Sequence, residues 1–218
     1  MTRERISQLL APFLGADGIS ADKLGMISDY LDLLVAWNRK INLTALRDPD
    51  DIVTRHFGES LFTARQLFRT SFDRQSLVDV GTGAGFPGLP VKIWEPRLQL
   101  SLIESQQKKA VFLKEVIRKL GLSNVMVLAS RAENVRSQAD VVTLRAVERF
   151  EAIVGSAQRL VKPGGQLGLL IGESRIKSAR HLLGELLWDP PLPIPLSRSR
   201  ILLLGRRPSS EASEPDNN

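Results

Sequence analysis

The chain has no cysteine among its 218 residues, which excludes disulfides, thiolate metal sites, iron–sulfur clusters and a cysteine nucleophile. Its only imidazoles are His56 and His181, which argues against a histidine-rich metal site as well. No apolar run approaches the ~20 residues that span a bilayer, and the opening Met1-Thr-Arg-Glu-Arg5 lacks the apolar core of a signal segment. The expectation is a cytoplasmic protein with no membrane partner. Internal repeats are also absent.

What is present is ordinary for a globular protein: 43% hydrophobic and 25% charged residues. The length suits one domain of common size plus an extension. Lys plus Arg number 30 against 24 Asp plus Glu, a net charge of +6. That balance suits a polyanionic partner, although a merely soluble basic protein has the same composition.

Residues 1–72 read as a helical extension. Ile6, Leu9, Leu10 and Phe13 recur at helical spacing, as do Leu24, Ile27, Leu31, Leu34 and Val35 behind a capping serine, Ser20. A third helix opens at Asp48-Pro49, where aspartate caps and proline suits the first turn; it carries Ile52, Val53, Phe57, Leu61 and Leu67. Over 73–208 short apolar runs alternate with amphipathic stretches. Candidate strands are Leu77–Val80, Leu98–Ile103, Val125–Ala129, Asp140–Leu144 and Leu167–Ile171, with helices at Gln106–Leu120 and Phe150–Leu160. Gly121 ends the first of these helices and Lys162-Pro-Gly-Gly165 the second. Such alternation implies a doubly wound, largely parallel α/β sheet. A last helix, Ser174–Leu187, leads to a late edge hairpin, and the polar tail 209–218 reads as disordered.

The segment Leu77-Val-Asp-Val-Gly-Thr-Gly-Ala-Gly-Phe-Pro-Gly88 places four glycines directly behind the first strand. Gly83-x-Gly85-x-x-Gly88 meets the dinucleotide-binding spacing, but Gly81-x-Gly83-x-Gly85 behind Asp79 is more than that fingerprint asks for. The first strand-to-helix turn is where such sheets bind nucleotide-like ligands. Asp79 beside a pyrophosphate would repel it, whereas S-adenosylmethionine carries an ammonium and a sulfonium and no phosphate. The loop therefore favours the methyl donor. Glu104 ends the second strand, where an acid accepts both ribose hydroxyls of either cofactor. The methyl acceptor is narrowed by absences. The fourth strand ends in Val142-Thr-Leu-Arg-Ala-Val147, without the acid or amide, two prolines and an aromatic common in methylation of exocyclic base amines. C5 methylation of pyrimidines commonly uses a cysteine. What remains is a target that is already nucleophilic.

Together, Asp79–Pro90 (DVGTGAGFPGLP), Glu104–Leu113 (ESQQKKAVFL), Ser130–Asn134 (SRAEN), Leu144–Val147 (LRAV) and Trp37–Leu61 (WNRKINLTALRDPDDIVTRHFGESL) resemble the RsmG, or GidB, family of bacterial 16S ribosomal RNA guanine-N7 methyltransferases. The similarity runs from about Tyr30 to Gly172. It implies a class I, Rossmann-like methyltransferase sheet with an N-terminal helical extension, S-adenosylmethionine as donor, and a guanine of the 530 loop as acceptor; the expected partner is 16S rRNA in the 30S subunit or its precursor, and the expected state is a monomer. Carried over by position, Gly81, Thr82, Gly83, Gly85 and Phe86 form the cofactor loop, Glu104 meets the ribose, Ala132 and Glu133 lie on the adenine side, and Arg131 and Arg145 are the catalytic arginines, Arg145 at the cofactor's active-site edge. The chain departs from the family pattern at Leu144, commonly serine, and at Ile171, often lysine.

Guanine N7 has an in-plane lone pair and no proton to lose, so attack on the sulfonium methyl needs no general base, and the sequence offers no obvious one. His56 reads as a hydrogen-bonded packing residue, and Trp37 and Phe57 as core. Lys108, Lys109, Lys114, Arg118 and Lys119 make one helix basic, either as a solvated face or as an RNA-backbone contact. Two other functions use the same features: a nicotinamide-dependent oxidoreductase, and a non-catalytic RNA-binding assembly protein.

Overall fold

The computed structural model describes residues 1–68, 76–145 and 150–209. Three capped helical stretches open it. Helix α1 (Arg3–Leu14) is capped by Thr2, whose hydroxyl accepts from the Arg5 amide at 3.2 Å. Helix α2 (Ala21–Asn38) starts at Ser20, and α3 (Pro49–Ile52) starts at Asp48, whose Oδ1 accepts from the Asp50 and Asp51 amides at 2.9 and 3.1 Å with Pro49 at the first turn. The expected third helix is broken in character rather than in direction. Residues Val53–Gly58 widen into a π turn before α4 (Glu59–Leu67) resumes the α form. Such widenings cluster at functional sites.

The sheet follows: β1 (Ser76–Val80), α5 (Gly88–Trp94), β2 (Gln99–Ile103), α6 (Gln107–Lys119), β3 (Val125–Leu128), β4 (Ala139–Arg145), α7 (Phe150–Arg159), β5 (Val161–Gly172), α8 (Ile176–Leu182), β6 (Leu187–Trp188), β7 (Leu192–Pro193) and β8 (Arg200–Arg206). The spatial order is β3-β2-β1-β4-β5-β8-β6, with β7 also pairing β8. The first five strands are parallel, while β8 runs antiparallel to β5 and is flanked by β6 and β7 on its outer side. Because β2 and β4 flank β1 on opposite sides, the chain direction switches at the C-terminal end of β1. This is where doubly wound sheets open a ligand crevice.

Alternation along the strands sends side chains into two buried layers. Leu77, Leu100, Leu102 and Val141 join α5, α6 and the N-terminal helices in one cluster. Val78, Val142, Leu144, Leu167 and Leu169 join α7 and α8 in the other. No helix among the described residues is long and apolar enough to cross a membrane.

Two expectations are corrected. The last helix does not run from Ser174 to Leu187. A tight 3₁₀ turn at Glu173–Arg175 precedes α8, which stops at Leu182, and Leu187 instead pairs with Arg206. Pairing with the outer side of β8 overrides the local helical pattern there. Lys162–Gly165 does not lie between helix and strand but within β5; Gly164, at φ +75°, donates its amide to Arg207, and the β4–β5 register shifts between Ala139 and Val141. The late hairpin forms, as β7 and β8. Most of the expected disordered tail, 210–218, lies outside the described residues.

Candidate active site

The glycine loop leaves β1 and folds over its end. Gly81, Gly83 and Gly85 have φ of +65°, +60° and +96°, the left-handed region where glycine carries no Cβ penalty. Asp79 shapes the loop from beneath. Its Oδ2 accepts from the Thr82 hydroxyl at 2.5 Å and the Gly88 amide at 3.0 Å, and its Oδ1 accepts from the Thr143 hydroxyl at 2.8 Å. Burial raises its carboxyl to about 6, against these three donors. Asp79 is fully buried, which corrects the charge argument above. Its carboxylate braces the turn and is not presented to a ligand.

Glu104, just past β2, is 5% exposed and ties the loop to the next helix: Oε2 accepts from the Gly83 amide at 3.0 Å and Oε1 from the Gln106 amide at 2.7 Å. Each carboxylate oxygen keeps a second lone pair. A cleft of about 240 Å³ opens beside it, bounded by Gly81, Glu104, Arg131, Ala132 and Glu133, with Ile103 and α7's Ala152 and Ile153 as apolar walls. A tight turn at Ala132–Asn134 brings the β3–β4 connection to this rim. Five of the anticipated site residues thus share one cleft.

The others stand elsewhere. Thr82, Gly83, Gly85 and Phe86 do not line it; Thr82 is held by Asp79, and Phe86 stacks on Tyr30 at 5.3 Å and on His56 at 4.8 Å. Tyr30 donates its hydroxyl to the Ala84 carbonyl and stands edge-on to Phe57. Arg145, the last described residue of β4, reaches into the π turn. Its Nη2 donates to the Arg55 carbonyl at 2.7 Å and to His56 Nδ1 at 2.9 Å, with Glu59 Oε2 at 3.4 Å and the Phe86 ring at 6.0 Å. The wide turn is what presents the Arg55 carbonyl and the His56 ring side by side. Glu59 also pairs with Arg200 of β8. Burial pushes the Glu59 carboxyl up while Arg145 and Arg200 pull it down, burial prevailing.

Guanidinium cannot accept a hydrogen bond, so His56 Nδ1 must carry a lone pair and Nε2 the proton, donated to Thr44 Oγ1 at 2.7 Å. Thr44 is delivered by the Asn38 side chain, which accepts from the Leu43 and Thr44 amides and donates to the Thr44 and Leu46 carbonyls. Burial, then Arg145, lowers His56 from 6.5 to about 2. The imidazole is neutral with both nitrogens committed, as a packing residue should be. The folded value lies below the unfolded one, so this contribution to stability is complete above about 6.5 and is lost as pH falls toward 2. Asp79, raised from 3.8 to about 6, acts oppositely and weakens the fold as pH rises through that window. Acid titrations followed by calorimetry should show a His56→Gln protein losing less stability between pH 6.5 and 5 than the wild type. An unchanged acid slope would show that burial and Arg145 do not hold the imidazole neutral.

Sequence reasoning missed Tyr30, Glu59, Thr143 and Arg200. Tyr30 falls at helical spacing between Ile27 and Leu34, and Glu59 stands between the buried Phe57 and Leu61. The spacing of Tyr30 was an available signal, whereas Glu59, two residues from each of those neighbours, falls on a different face of a regular helix and offered none. Thr143 and Arg200 had none, since their partners are distant in sequence. The Lys108, Lys114, Arg118 and Lys119 side chains of α6 are exposed and Lys109 is half-buried, so that face is available to a polyanion.

The family described as "rRNA small subunit methyltransferase G" matches residues 23–184. The ribosomal RNA small subunit methyltransferase G of Xanthomonas campestris pv. campestris (strain B100) is 43% identical over 164 residues, covering 74% of this chain and 75% of its own length. The protein of the same name from Dictyoglomus thermophilum is 38% identical over 169 residues, covering 75% and 67%. Among solved structures, magnesium protoporphyrin IX methyltransferase from Synechocystis PCC 6803 with bound SAM superposes with a TM-score of 0.65 at 13% identity, covering 87% of this chain and 98% of that one. A ribosomal protein L11 methylase from Lactobacillus delbrueckii subsp. bulgaricus gives 0.59 at 13% identity, covering 71% and 79%. At such identity the likeness is one of fold, the Rossmann-like sheet of class I methyltransferases.

Proposed function

Since the chain belongs to the rRNA small subunit methyltransferase G family, we propose that it transfers a methyl group from S-adenosylmethionine to N7 of a guanine in the 530 loop of 16S ribosomal RNA, acting as a cytoplasmic monomer on the 30S subunit or its precursor. The observation that carries the cofactor half is the cleft beside Glu104. It combines the side-chain-free Gly81 of the loop, an acid with spare lone pairs for ribose hydroxyls, and apolar walls at Ile103, Ala132 and Ile153 for an adenine ring. Those residues fit the donor's nucleoside, and Arg131 on the rim suits the carboxylate of its amino-acid part. The bound donor supplies an electrophilic methyl. The chain's own residues supply orientation, a term that reaches roughly 7–11 kcal/mol in favourable systems.

No residue is required to take a proton from N7, and the committed, neutral His56 agrees with that. The product ring gains positive charge, so a guanidinium placed on N7 itself would oppose the reaction. Arg145, paired with Glu59 and held by the π turn, has its charge partly answered before substrate arrives. The basic face of α6 and the net charge of +6 suit a phosphate backbone.

Glu104→Ala should weaken binding of S-adenosylhomocysteine by roughly 1.5–3 kcal/mol, the range for hydrogen bonds to a charged group. Calorimetry on the folded variant measures it, and unchanged affinity would remove Glu104 from the ribose. The activity itself is tested by incubating 30S subunits from cells lacking this protein with the enzyme and the methyl donor, then digesting the RNA. New 7-methylguanosine supports the reading, and its absence from a folded, cofactor-binding enzyme refutes it.

A further inference from the structure

A second and larger cleft, about 550 Å³, lies between the π turn with the start of α4 and the loop joining β7 to β8. Its floor includes Glu59, and its walls include Arg55, Leu196, Arg198 and Arg200. Glu59 is 2% exposed, and its Oε2 faces Arg145 at 3.4 Å yet accepts no hydrogen bond. A buried carboxylate oxygen with no donor is costly unless something supplies one. At the rim, among the described residues, neither Arg55 nor Arg198 belongs to an ion pair, and both side chains are exposed. Leu196 stands at the lip, 72% exposed and held at φ +59°, a conformation that costs a leucine energy and persists where the surroundings impose it.

We propose that this cleft receives the acceptor nucleotide, and that Glu59 selects guanine by accepting from the N1–H and the exocyclic amine of its Watson–Crick edge, while Arg55 and Arg198 take the adjoining phosphate. The inference rests on the reading above that the substrate is RNA. A carboxylate is acceptor-only, so it demands donors, and guanine alone among the common bases presents two adjacent N–H donors on that edge. Adenine presents an amine beside an unprotonated nitrogen, which repels a carboxylate. Holding guanine by this edge leaves N7, on the opposite side of the purine, uncontacted and nucleophilic. Arg145 and Arg200 keep the charge of Glu59 compensated whether or not a base is present, and Leu196 offers an apolar surface for the nucleotide's flat face or sugar.

The test uses the full chain saturated with S-adenosylhomocysteine and titrated with GMP, IMP and AMP; IMP differs from GMP only by the missing amine. GMP should bind about tenfold more tightly than IMP, the effect of one hydrogen bond to a charged group, and AMP should bind more weakly than GMP. Glu59→Gln should erase the preference for GMP over IMP. Arg198→Ala, at an exposed position that cannot threaten folding, should weaken all three nucleotides together, leave their ratio intact and leave guanosine unaffected. Equal affinities of the wild type for GMP and IMP overturn the proposal, as does an undiminished preference in folded Glu59→Gln. A wild type that prefers GMP but transfers no methyl to 30S subunits keeps the cleft and removes the reaction, whereas one that methylates without preferring GMP does the reverse.

Discussion

Replacing Gly85 with alanine is expected to destabilise the protein by about 2–5 kcal/mol and to abolish cofactor-analogue binding. Two causes add. At φ +96° the backbone disfavours any L side chain, and the new Cβ would meet the Tyr30 hydroxyl oxygen, Leu89 Cδ1 at 2.5 Å and Leu113 Cδ2 at 3.1 Å. None of these neighbours can retreat easily. Tyr30 is wedged among Phe57, Phe86 and Phe112 and bonded to the Ala84 carbonyl, and Leu89 and Leu113 are fully buried. For a chain of this size the melting temperature should fall by about 2–4 °C per kcal/mol. Gly121→Ala separates the two causes, because it has φ +62° with nothing within 4 Å of the added carbon. Scanning calorimetry should find only the strain term there, about 1 kcal/mol. Equal melting temperatures for the two variants would mean that the contact between the loop and Tyr30 is looser than the packing implies.

Asp79→Ala should cost about 3–5 kcal/mol and weaken S-adenosylhomocysteine binding, although Asp79 is fully buried beneath the loop. Removing the carboxylate orphans the Gly88 amide, strips the Thr82 and Thr143 hydroxyls of their acceptor and leaves a void beneath the loop. The hydroxyls can turn elsewhere; the amide cannot. Asp79→Asn keeps the volume and one acceptor but sets an NH₂ against a donor, so it should fall between wild type and alanine. Its stability should also vary less with pH between about 4 and 6, because the carboxyl that titrates there is gone. Melting curves and calorimetric titrations read both quantities. An alanine variant that melts earlier yet binds with undiminished affinity would separate the brace from the site.

Much of the molecule is legible in one dimension wherever the governing interaction is local. Caps at Ser20 and Asp48, the terminator Gly121, the strand-forming apolar runs and the glycine turns all depend on neighbours within a few residues. Local signals fail where a distant partner outweighs them. Leu187 belongs to a helical pattern by composition but to β8 by pairing, and Lys162–Gly165 reads as a loop until Arg207 draws it into the sheet.

The residue types and their order by themselves determined a doubly wound sheet, the absence of cysteine and metal-thiolate chemistry, and the family resemblance, and they raised the expectation of a nucleotide-class ligand at the first turn. Which way each charged group points was decided by the tertiary structure alone. Asp79 turns under the loop because Thr143, from a strand far along the chain, completes its shell of donors. Arg145 stands away from the cleft beside Glu104 because the π turn offers it a carbonyl and an imidazole, and Glu59 and Arg200 join it from α4 and β8. A buried charge goes where its hydrogen bonds are, and these come from segments that only folding brings together.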